Sequence, residues 1–487
     1  MKLKHKTIAG FFWTFSGTFG SGVISFIITM ILARALAPAD FGIIALLVVF
    51  TTITAVLVDS GFTQAVIRDN EASQKDLSSV FFVNIAVSAF IYTVLFFAAP
   101  LIAKFFETPE LVYLTRFVFL SIIFDSFAII QNANLSRNLN FKPFAMASLT
   151  AIVIAGIVAV IMAFNGYGVW ALAWNIVLTS FIRTTLLWLQ GKWTPSLQFS
   201  GHSIKKYFAF GVNLLLQGLI DRIVTNLESV LIGRFYTKSA LGFFSQARQL
   251  NAYISQTTTN VVQRVTYPAL AKLKDEPERL KNGYRRVIGI TMFCIAPLMI
   301  FTMFTAENVI SVIFGTKWLP SAEYLRIWAI WGLIFPISSI SINIFLVKGR
   351  SRLLLSLTIV KQILRIVAVV LFVSVGITQM LYAIVFISIV STFLYSFFGG
   401  RLIGYKQIEI FNDIKISFVT ALISALLVWG VTNCVIGINL YLCFALQLVT
   451  MSVSYLLLNK YVFKNIHLRE VAEIASSLVT KLKKGND

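Results

Sequence analysis

The sequence predicts an all-α membrane protein with about fourteen transmembrane helices. Its 487 residues are 58% hydrophobic and only 13% charged, about half the charged share of a soluble domain. Long apolar runs recur along the whole chain, and each is long enough for a bilayer core that needs about 20 helical residues. One break between runs occurs twice with the same pattern, two hundred residues apart, which indicates an internal repeat.

The expected spans follow one another with short connections. In order, they lie near residues 9–33, 41–66, 78–103, 111–131, 142–164, 168–190, 206–233, 239–265, 286–313, 322–347, 353–375, 378–399, 414–436 and 438–459. Pro and Gly mark most of their ends, as expected where helices stop. The first run is longer than the apolar part of a signal peptide, which has about 7–15 residues, so we expect it to be retained.

The net charge of +21 is explained by which side of the membrane the basic residues occupy. With the N-terminus inside, most Lys and Arg fall in inner segments. The outer segments hold only Arg34, Lys104, Arg234, Lys238 and Lys317. This asymmetry follows the positive-inside rule and predicts cytoplasmic N- and C-termini. It accounts for the charge without a nucleic-acid partner and favours contact with anionic membrane lipid.

The repeated break divides the chain into two equivalent halves. "ARALAPADFG" (33–42) and "GRFYTKSALG" (233–242) share an Arg, a Gly eight residues later, and paired apolar residues after it. Six spans per half give halves of the same orientation, a transporter design with the path between them. We therefore expect an N-terminal lobe (1–200), a C-terminal lobe (201–405), two extra helices (406–462) and an amphipathic cytoplasmic tail (463–487).

Several spans carry polar faces that are too polar to meet lipid tails. Steps of four or three residues put one set on a single face of span seven: Asn213, Gln217, Asp221, Thr225 and Glu228. A charge near the bilayer middle costs at least about 2.5–3.5 kcal/mol and usually faces a cavity, a partner or a pathway. Because Arg exceeds Asp and Glu in these spans, we predict a hydrated cavity that favours anions.

Some of these charges are expected to have roles other than binding. Asp59 and Asp125 are candidate ion-pair partners for Arg183 or Arg222. Lys361 and Arg365, one turn apart in span eleven, are interpreted as topology anchors at its inner end.

Motifs for catalysis or a bound cofactor are missing from the sequence. Cys294, Cys434 and Cys443 all fall in apolar spans and have no metal-binding spacing, and only three His are present. Neither a phosphate-binding loop nor a hydrolase or protease motif occurs. We therefore expect no enzyme activity, no metal and no cofactor.

Four stretches in order resemble polysaccharide transporters of the Wzx type. They are "ILARALAPADFGIIALLVVF" (31–50), "VDSGFTQAVIR" (58–68), "NANLSRNLNFKPFA" (132–145) and "GYGVWALA" (166–173). These transporters belong to the multidrug/oligosaccharidyl-lipid/polysaccharide exporter superfamily. The resemblance is densest over the first 260 residues, and span count and charge topology extend it along the chain.

The resemblance implies a flippase for undecaprenyl-pyrophosphate-linked oligosaccharide in the bacterial cytoplasmic (inner) membrane. It implies export of O-antigen, capsule or exopolysaccharide by alternating access through a cationic central cavity, with polymerase and chain-length proteins as candidate partners. On helix faces in this sequence we assign the pyrophosphate to Arg183, Arg222, Arg248 and Arg264. Sugar hydroxyls are assigned to Asn213, Gln217, Gln256 and Asn260. Asp221, Glu228 and Asp59 are the candidates for a coupling proton or sodium ion.

Three alternatives stay open at the level of the sequence. A MurJ-type lipid II flippase shares the architecture and also needs a cationic cavity. A multidrug and toxin cation antiporter shares it too, but an excess of Arg disfavours a cationic substrate. A membrane-embedded polysaccharide polymerase or ligase is an enzyme of a different class, and it would carry a sizeable outer loop.

Overall fold

The described part of the chain is built from α-helices, with no strand among its residues. The computed structural model describes the backbone of residues 2–59, 61–69, 71–138, 140–191, 193–434 and 438–473. Within these ranges, the side chains of 2–12, 14–16, 209–210, 213, 260–265, 267–269 and 434 are not described.

The described residues form seventeen α-helices joined by short turns. They are α1 (Lys2–Ala35), α2 (Pro38–Asp59), α3 (Phe62–Arg68), α4 (Gln74–Phe105), α5 (Leu111–Val118), α6 (Leu120–Arg137), α7 (Lys142–Phe164), α8 (Val169–Gln190), α9 (Gly201–Phe235), α10 (Lys238–Ala271), α11 (Pro277–Phe304), α12 (Ala306–Ile313), α13 (Ser321–Val347), α14 (Ser351–Phe372), α15 (Ile377–Arg401), α16 (Gln407–Cys434) and α17 (Leu440–Leu457). A 3₁₀ turn covers Thr316–Trp318, and a π-helical turn covers Leu458–Val462.

Twelve segments in the described residues are long and apolar enough to cross a membrane. The two long helices outside this set are α9 and α10, with 35 and 34 residues. At a rise of 1.5 Å per residue each is about 50 Å long, so length does not exclude them. Some side chains of both helices lie outside the described residues, and both helices carry the polar faces noted in the sequence. The chain is thus a multi-pass membrane protein, and the count of fourteen stays a prediction.

The two predicted breaks occur at the same point of the repeat. Helix α1 ends at Ala35 and α2 begins at Pro38, while α9 ends at Phe235 and α10 begins at Lys238. In both breaks the first residue past the helix donates its backbone N–H back by four residues. These bonds are Leu36 to the Leu32 carbonyl (2.8 Å) and Tyr236 to the Ile232 carbonyl (2.9 Å). The matched helical hairpins are therefore confirmed.

The chain forms two compact units, Met1–Ser245 and Gln246–Asp487, whose boundary falls inside α10. In the first unit, α7 packs against both α1 and α8. It does so through a stripe of alanines at every fourth position, all without exposed surface: Ala147, Ala151, Ala155 and Ala159. Such small residues let helix backbones approach closely in a membrane. The domain boundaries predicted at 200, 405 and 462 follow the sequence repeat and not the compactness of the units, and they stay predictions.

In the second unit, a charged clamp joins α11 to α16. Arg285 donates from Nε and Nη2 to the two oxygens of Asp413 at 2.8 and 2.7 Å. The hydroxyl of Tyr405 donates to the same carboxylate at 2.7 Å. Burial and this carboxylate raise the pKa of Tyr405, which keeps its hydroxyl a donor. The clamp fixes the start of the two extra C-terminal helices.

The predicted amphipathic tail is described only at its beginning, where residues 466–473 are helical. Gly289 in α11 leaves room for the ring of His467, since a Cβ there would lie 2.1 Å from the ring nitrogen Nε2. Glu470 accepts from Nε of Arg286 at 2.8 Å. The tail is thus attached to α11, and residues 474–487 lie outside the described part.

We expect Asp413→Ala to destabilise the protein, because it leaves the Arg285 guanidinium and the Tyr405 hydroxyl without their shared acceptor. The expected loss is about 1.5–3 kcal/mol, typical of hydrogen bonds to a charged group. Thermal unfolding of the purified protein in detergent measures it. The control is Asp275→Ala, at a side chain that is 85% exposed, and it should match the wild type. Equal stability of Asp413→Ala and wild type would contradict the clamp.

Candidate functional site: a cavity between α2, α3 and α9

The polar face of α9 runs from an open middle to a buried end. Gln217 and Asp221 are exposed, whereas Glu228 has no exposed surface. The side chain of Asn213 lies outside the described residues. An exposed middle on a helix of a membrane protein is consistent with a water-filled space beside it.

Each end of α9 is tied to the loops and helices that precede it in the chain. Near its start, Lys206 and Tyr207 both donate to Asp69, at 2.6 and 2.9 Å. These two bonds lower the pKa of Asp69 to about 2, so that it stays ionised. At the other end, Arg234 donates to the Phe105 carbonyl (2.9 Å) and pairs with Glu107.

Two glycines bring α9 close to α2 and α3. A Cβ on Gly61 would lie 2.6 Å from the Gly211 carbonyl oxygen, and Gly61 also has a left-handed φ of 72°. A Cβ on Gly218 would lie 2.9 Å from Cγ1 of Val56. Side chains at these positions would push α9 away, so the glycines set the width of the space between the helices.

A cavity of about 430 Å³ lies between α2, α3 and α9. Its polar lining consists of Thr52, Asp59, Gln64 and Arg222. Asp59 accepts from both the backbone N–H and the hydroxyl of Thr63. Among the described residues, the Arg222 guanidinium makes no hydrogen bond or ion pair. Its five N–H donors are therefore open to an anionic ligand.

The structure brings together two of the predicted site residues, Asp59 and Arg222, which line this cavity. Arg183 instead pairs with Asp125 at 2.6 Å, one of the two partners the sequence left open. Its charge is balanced inside the first unit, so its predicted pyrophosphate contact would require that pair to open.

The remaining predicted residues are dispersed. Arg248 and Gln256 belong to the second unit, where both are half-buried. The side chains of Asn260 and Arg264 lie outside the described residues. None of these ligand assignments is tested by the structure, and they stay predictions.

Three polar residues of this region were missed by sequence reasoning. Thr52 and Gln64 line the cavity. Asn226 donates to the Arg222 carbonyl (2.8 Å) and to the Thr52 hydroxyl (3.3 Å), which joins α9 to α2. Asn226 lies one turn after Arg222, and that spacing is the signal that would have found it.

The two copies of the repeated break lie against each other. A Cβ on Gly42 would lie 1.8 Å from the Lys238 carbonyl oxygen, and a Cβ on Gly242 would lie 2.0 Å from the Pro38 carbonyl oxygen. Since 38 pairs with 242 and 42 pairs with 238, the contact has approximate twofold symmetry. Backbone touches backbone here, so a side chain cannot be accommodated by a rotamer change.

The interpretation of Lys361 and Arg365 as anchors at a helix end was wrong. Helix α14 begins at Ser351 and ends at Phe372, so these residues lie in its middle. The positive-inside rule counts charges on each side of the membrane but does not report their depth.

A helical multi-pass fold whose helices line a polar cavity is an arrangement found in membrane transporters. The sequence profile of the family described as polysaccharide biosynthesis proteins matches residues 31–323, which is more than half of the chain. The chain therefore belongs to that family.

Proteins with similar sequences have names that refer to polysaccharide biosynthesis or transport. The teichuronic acid biosynthesis protein TuaB of Bacillus subtilis is 25% identical, covering 72% of this chain and 73% of its own length. The succinoglycan biosynthesis transport protein ExoT of Rhizobium meliloti is 25% identical, covering 66% and 65%. The lipopolysaccharide biosynthesis protein WzxC of Escherichia coli is 24% identical, covering 94% and 88%. These relatives confirm the resemblance to Wzx-type transporters.

Solved structures support the fold. The lipid II flippase MurJ in an inward closed conformation matches with a TM-score of 0.73 and 15% identity, covering 95% of this chain and all of that one. An inward-facing multidrug transporter of the MATE family matches with a TM-score of 0.61 and 17% identity, covering 79% and 94%. At these identities the likeness establishes the fold alone.

We expect Gly42→Ala and Gly242→Ala each to lower transport strongly, by about tenfold or more, because the added methyl separates the two breaks. Export of surface polysaccharide, normalised to the amount of protein in the membrane, measures the effect. Gly22→Ala is the matched control, since a Cβ there meets nothing within 4 Å. Normal export by both Gly42→Ala and Gly242→Ala would contradict a required close contact.

Proposed function

We propose that this protein is a flippase that moves an undecaprenyl-pyrophosphate-linked oligosaccharide across the bacterial cytoplasmic membrane. The observation that carries the proposal is the cavity between α2, α3 and α9, with Arg222 on its wall. The guanidinium of Arg222 has no partner within the part of the chain that the structure describes. The printed names of the relatives, which concern teichuronic acid, succinoglycan and lipopolysaccharide, support a polysaccharide substrate.

The cavity offers the interactions that this substrate needs. A pyrophosphate leaving water loses its hydration, and a guanidinium replaces it with paired charge-assisted hydrogen bonds. The amide of Gln64 and the hydroxyl of Thr52 are suited to sugar hydroxyls, which both donate and accept. The apolar wall, which includes Val56 and Leu214, is suited to the first isoprene units of the carrier, and the rest of the tail stays in the bilayer.

Directed movement of the substrate requires energy, which binding of a proton or sodium ion can supply. Asp59 is the best-placed candidate to bind that ion. Its carboxylate lines the same cavity as Arg222. A proton or sodium ion on Asp59 would leave Arg222 as the only charged group among the described lining residues and strengthen its hold on an anion. Loss of that ion restores the opposite charge and favours release. Asp221 and Glu228 are the other candidates on α9.

Alternating access is the proposed cycle, and the twofold contact of the repeated breaks is its proposed closure. Positive-inside topology puts Arg34 and Arg234 on the outer side, so Gly42 and Gly242 would close the outer end of the path. Opening outward would then require these backbones to separate.

A lipid II flippase is the second candidate, because it shares the fold, as the TM-score of 0.73 with MurJ indicates. Lipid II is itself a polyprenyl-pyrophosphate-linked sugar, so the same cavity chemistry applies. The proteins of similar sequence favour a surface-polysaccharide substrate over lipid II. Identifying the lipid-linked sugar that accumulates without the protein decides between the two candidates.

We expect Arg222→Ala to abolish complementation of a strain lacking the gene, because the pyrophosphate loses its cationic partner. The measurements are surface polysaccharide and the pool of undecaprenyl-linked oligosaccharide, which should accumulate on the inner leaflet. Arg222→Lys should retain part of the activity because it keeps the charge.

The control is Arg279→Ala, at an arginine that is 69% exposed and pairs with Glu276; it should complement fully. Two results would oppose the proposal: normal export by Arg222→Ala, or an unchanged lipid-linked pool in the strain lacking the gene.

A further inference from the structure

Among the residues whose side chains the structure describes, three prolines lie in the interior of helices long and apolar enough to cross a membrane. They are Pro100 in α4, Pro297 in α11 and Pro336 in α13. Proline has no N–H, so each leaves the carbonyl four residues earlier without its helical hydrogen bond. These carbonyls belong to Phe96, Phe293 and Gly332. Hydrocarbon offers no water to replace the lost bonds, so the protein must supply the donors.

Side chains of neighbouring helices supply the donors for α4 and α11. Nε of Arg116 in α5 donates to the Phe96 carbonyl at 3.4 Å. The hydroxyl of Tyr455 in α17 donates to the Phe293 carbonyl at 2.9 Å. Each bond therefore replaces the one that a proline removes, and it ties the interrupted helix to a second helix.

The donor for α13 is Ser255 in α10. Its hydroxyl donates to the Gly332 carbonyl at 2.7 Å. Ser255 has no exposed surface and Gly332 is buried, so the bond is closed to solvent. Gly332 also lets the two helices approach, since a Cβ there would lie 2.4 Å from Oδ1 of Asn251 and 2.5 Å from Sδ of Met299. A glycine and a proline four residues apart weaken the same turn of α13.

The Ser255 bond differs from the bond made by Tyr455 because its donor has a second acceptor within reach. A serine in a helix can turn its hydroxyl to the carbonyl four residues back in its own helix. For Ser255 that acceptor is the carbonyl of Asn251. Thr259, one turn later, bonds in this way to the Ser255 carbonyl at 2.8 Å. The hydroxyl of Tyr455 stands at the far end of its ring, out of reach of its own turn. Ser255 thus has two positions for its hydroxyl, and only one of them bonds α13.

We propose that Ser255 is a latch on a proline hinge in α13. With its hydroxyl on the Gly332 carbonyl, α13 is held in the conformation described. With the hydroxyl turned to its own helix, α13 bends at the turn between Gly332 and Pro336. The inference goes beyond the proposed function and rests on it in one respect, that bending of α13 is a step of the alternating-access cycle. Ser255 is therefore a positioning residue, which acts through α13.

The latch is tested by thermal unfolding of the full-length protein in detergent, as a double-mutant cycle. Ser255→Ala leaves the Gly332 carbonyl without a donor and should lower the unfolding midpoint by about 2 °C or more. Pro336→Ala restores a backbone N–H for the same carbonyl. In the Pro336→Ala background, Ser255→Ala should therefore change the midpoint by less than about 0.5 °C.

Thr259→Val is the matched control for this cycle. Thr259 is as fully buried as Ser255 and lies on the same helix, but its hydroxyl bonds a carbonyl of that helix. Its replacement should have the same effect with and without Pro336→Ala. Equal effects of Ser255→Ala in the two backgrounds would overturn the latch.

The hinge is tested by electron–electron distance measurement between two spin labels in nanodiscs. Leu346→Cys and Ile408→Cys carry the labels, at exposed positions (46% and 62%) near one end of α13 and of α16, after the three native cysteines are replaced by alanine. A bend of about 20° at Pro336 moves position 346, ten residues further on, by about 5 Å. The protein with Pro336 should show two distances about 5 Å apart, and Ser255→Ala should raise the share of the minor one. Pro336→Ala should show a single distance.

Pro297→Ala is the control for the hinge and should keep both distances, because Tyr455 holds that proline in one conformation. A single distance common to the protein with Pro336 and to Pro336→Ala would overturn the hinge. Normal export of surface polysaccharide by Pro336→Ala, normalised to the protein in the membrane, would overturn its part in transport. Neither the unfolding cycle nor the distances need a substrate. Two distances in a protein that moves no undecaprenyl-linked oligosaccharide would therefore overturn the proposed function and leave the hinge standing.

Discussion

The constraint that shapes this protein is the cost of holding charge inside a bilayer. Each ionised side chain there must be paired, hydrated or bound to a ligand. Arg183 is paired, because Asp125 lies 2.6 Å away. Arg222 is placed on the wall of a cavity, where water or a ligand can reach it. Arg183 thus contributes to the fold, whereas Arg222 is the charge that we propose contacts the substrate.

The second organising feature is the duplication, which is visible in the backbone as well as in the sequence. Gly42 and Gly242, near the starts of α2 and α10, allow two close backbone contacts that are related by approximate twofold symmetry. This contact needs two copies of the hairpin, because Gly42 of the first copy lies against Lys238 of the second and Gly242 of the second lies against Pro38 of the first. Duplication followed by divergence also explains why the first half carries Ser21 and Ile28 where the second half carries Asp221 and Glu228. The backbone contact between the two breaks is therefore symmetric, whereas the side chains of spans one and seven differ.

The features that sequence reasoning predicted well depend on local or periodic patterns. Both helix breaks and the polar face of α9 follow from patterns along single stretches of the chain. Asp125 was one of two candidate partners of Arg183 because both are charges within apolar spans, and the structure shows which candidate pairs. The pairing of Gly42 with Gly242 did not follow, since it joins elements two hundred residues apart. Gln64 lines the cavity from α3, which begins directly after the left-handed residue Gly61, and spacing along the sequence does not predict that turn. Lys361 and Arg365 were misplaced because counting charges by side ignores how far along a helix they lie.

The most direct test of the account is translocation in proteoliposomes that contain only this protein. An undecaprenyl-pyrophosphate-linked sugar is loaded into the outer leaflet, and an impermeant enzyme then modifies every sugar that stays accessible. With wild type the protected fraction should rise over time, and with Arg222→Ala it should stay at the level of protein-free liposomes. A protected fraction that rises equally with Arg222→Ala would contradict the claim that substrate passes the cavity between α2, α3 and α9.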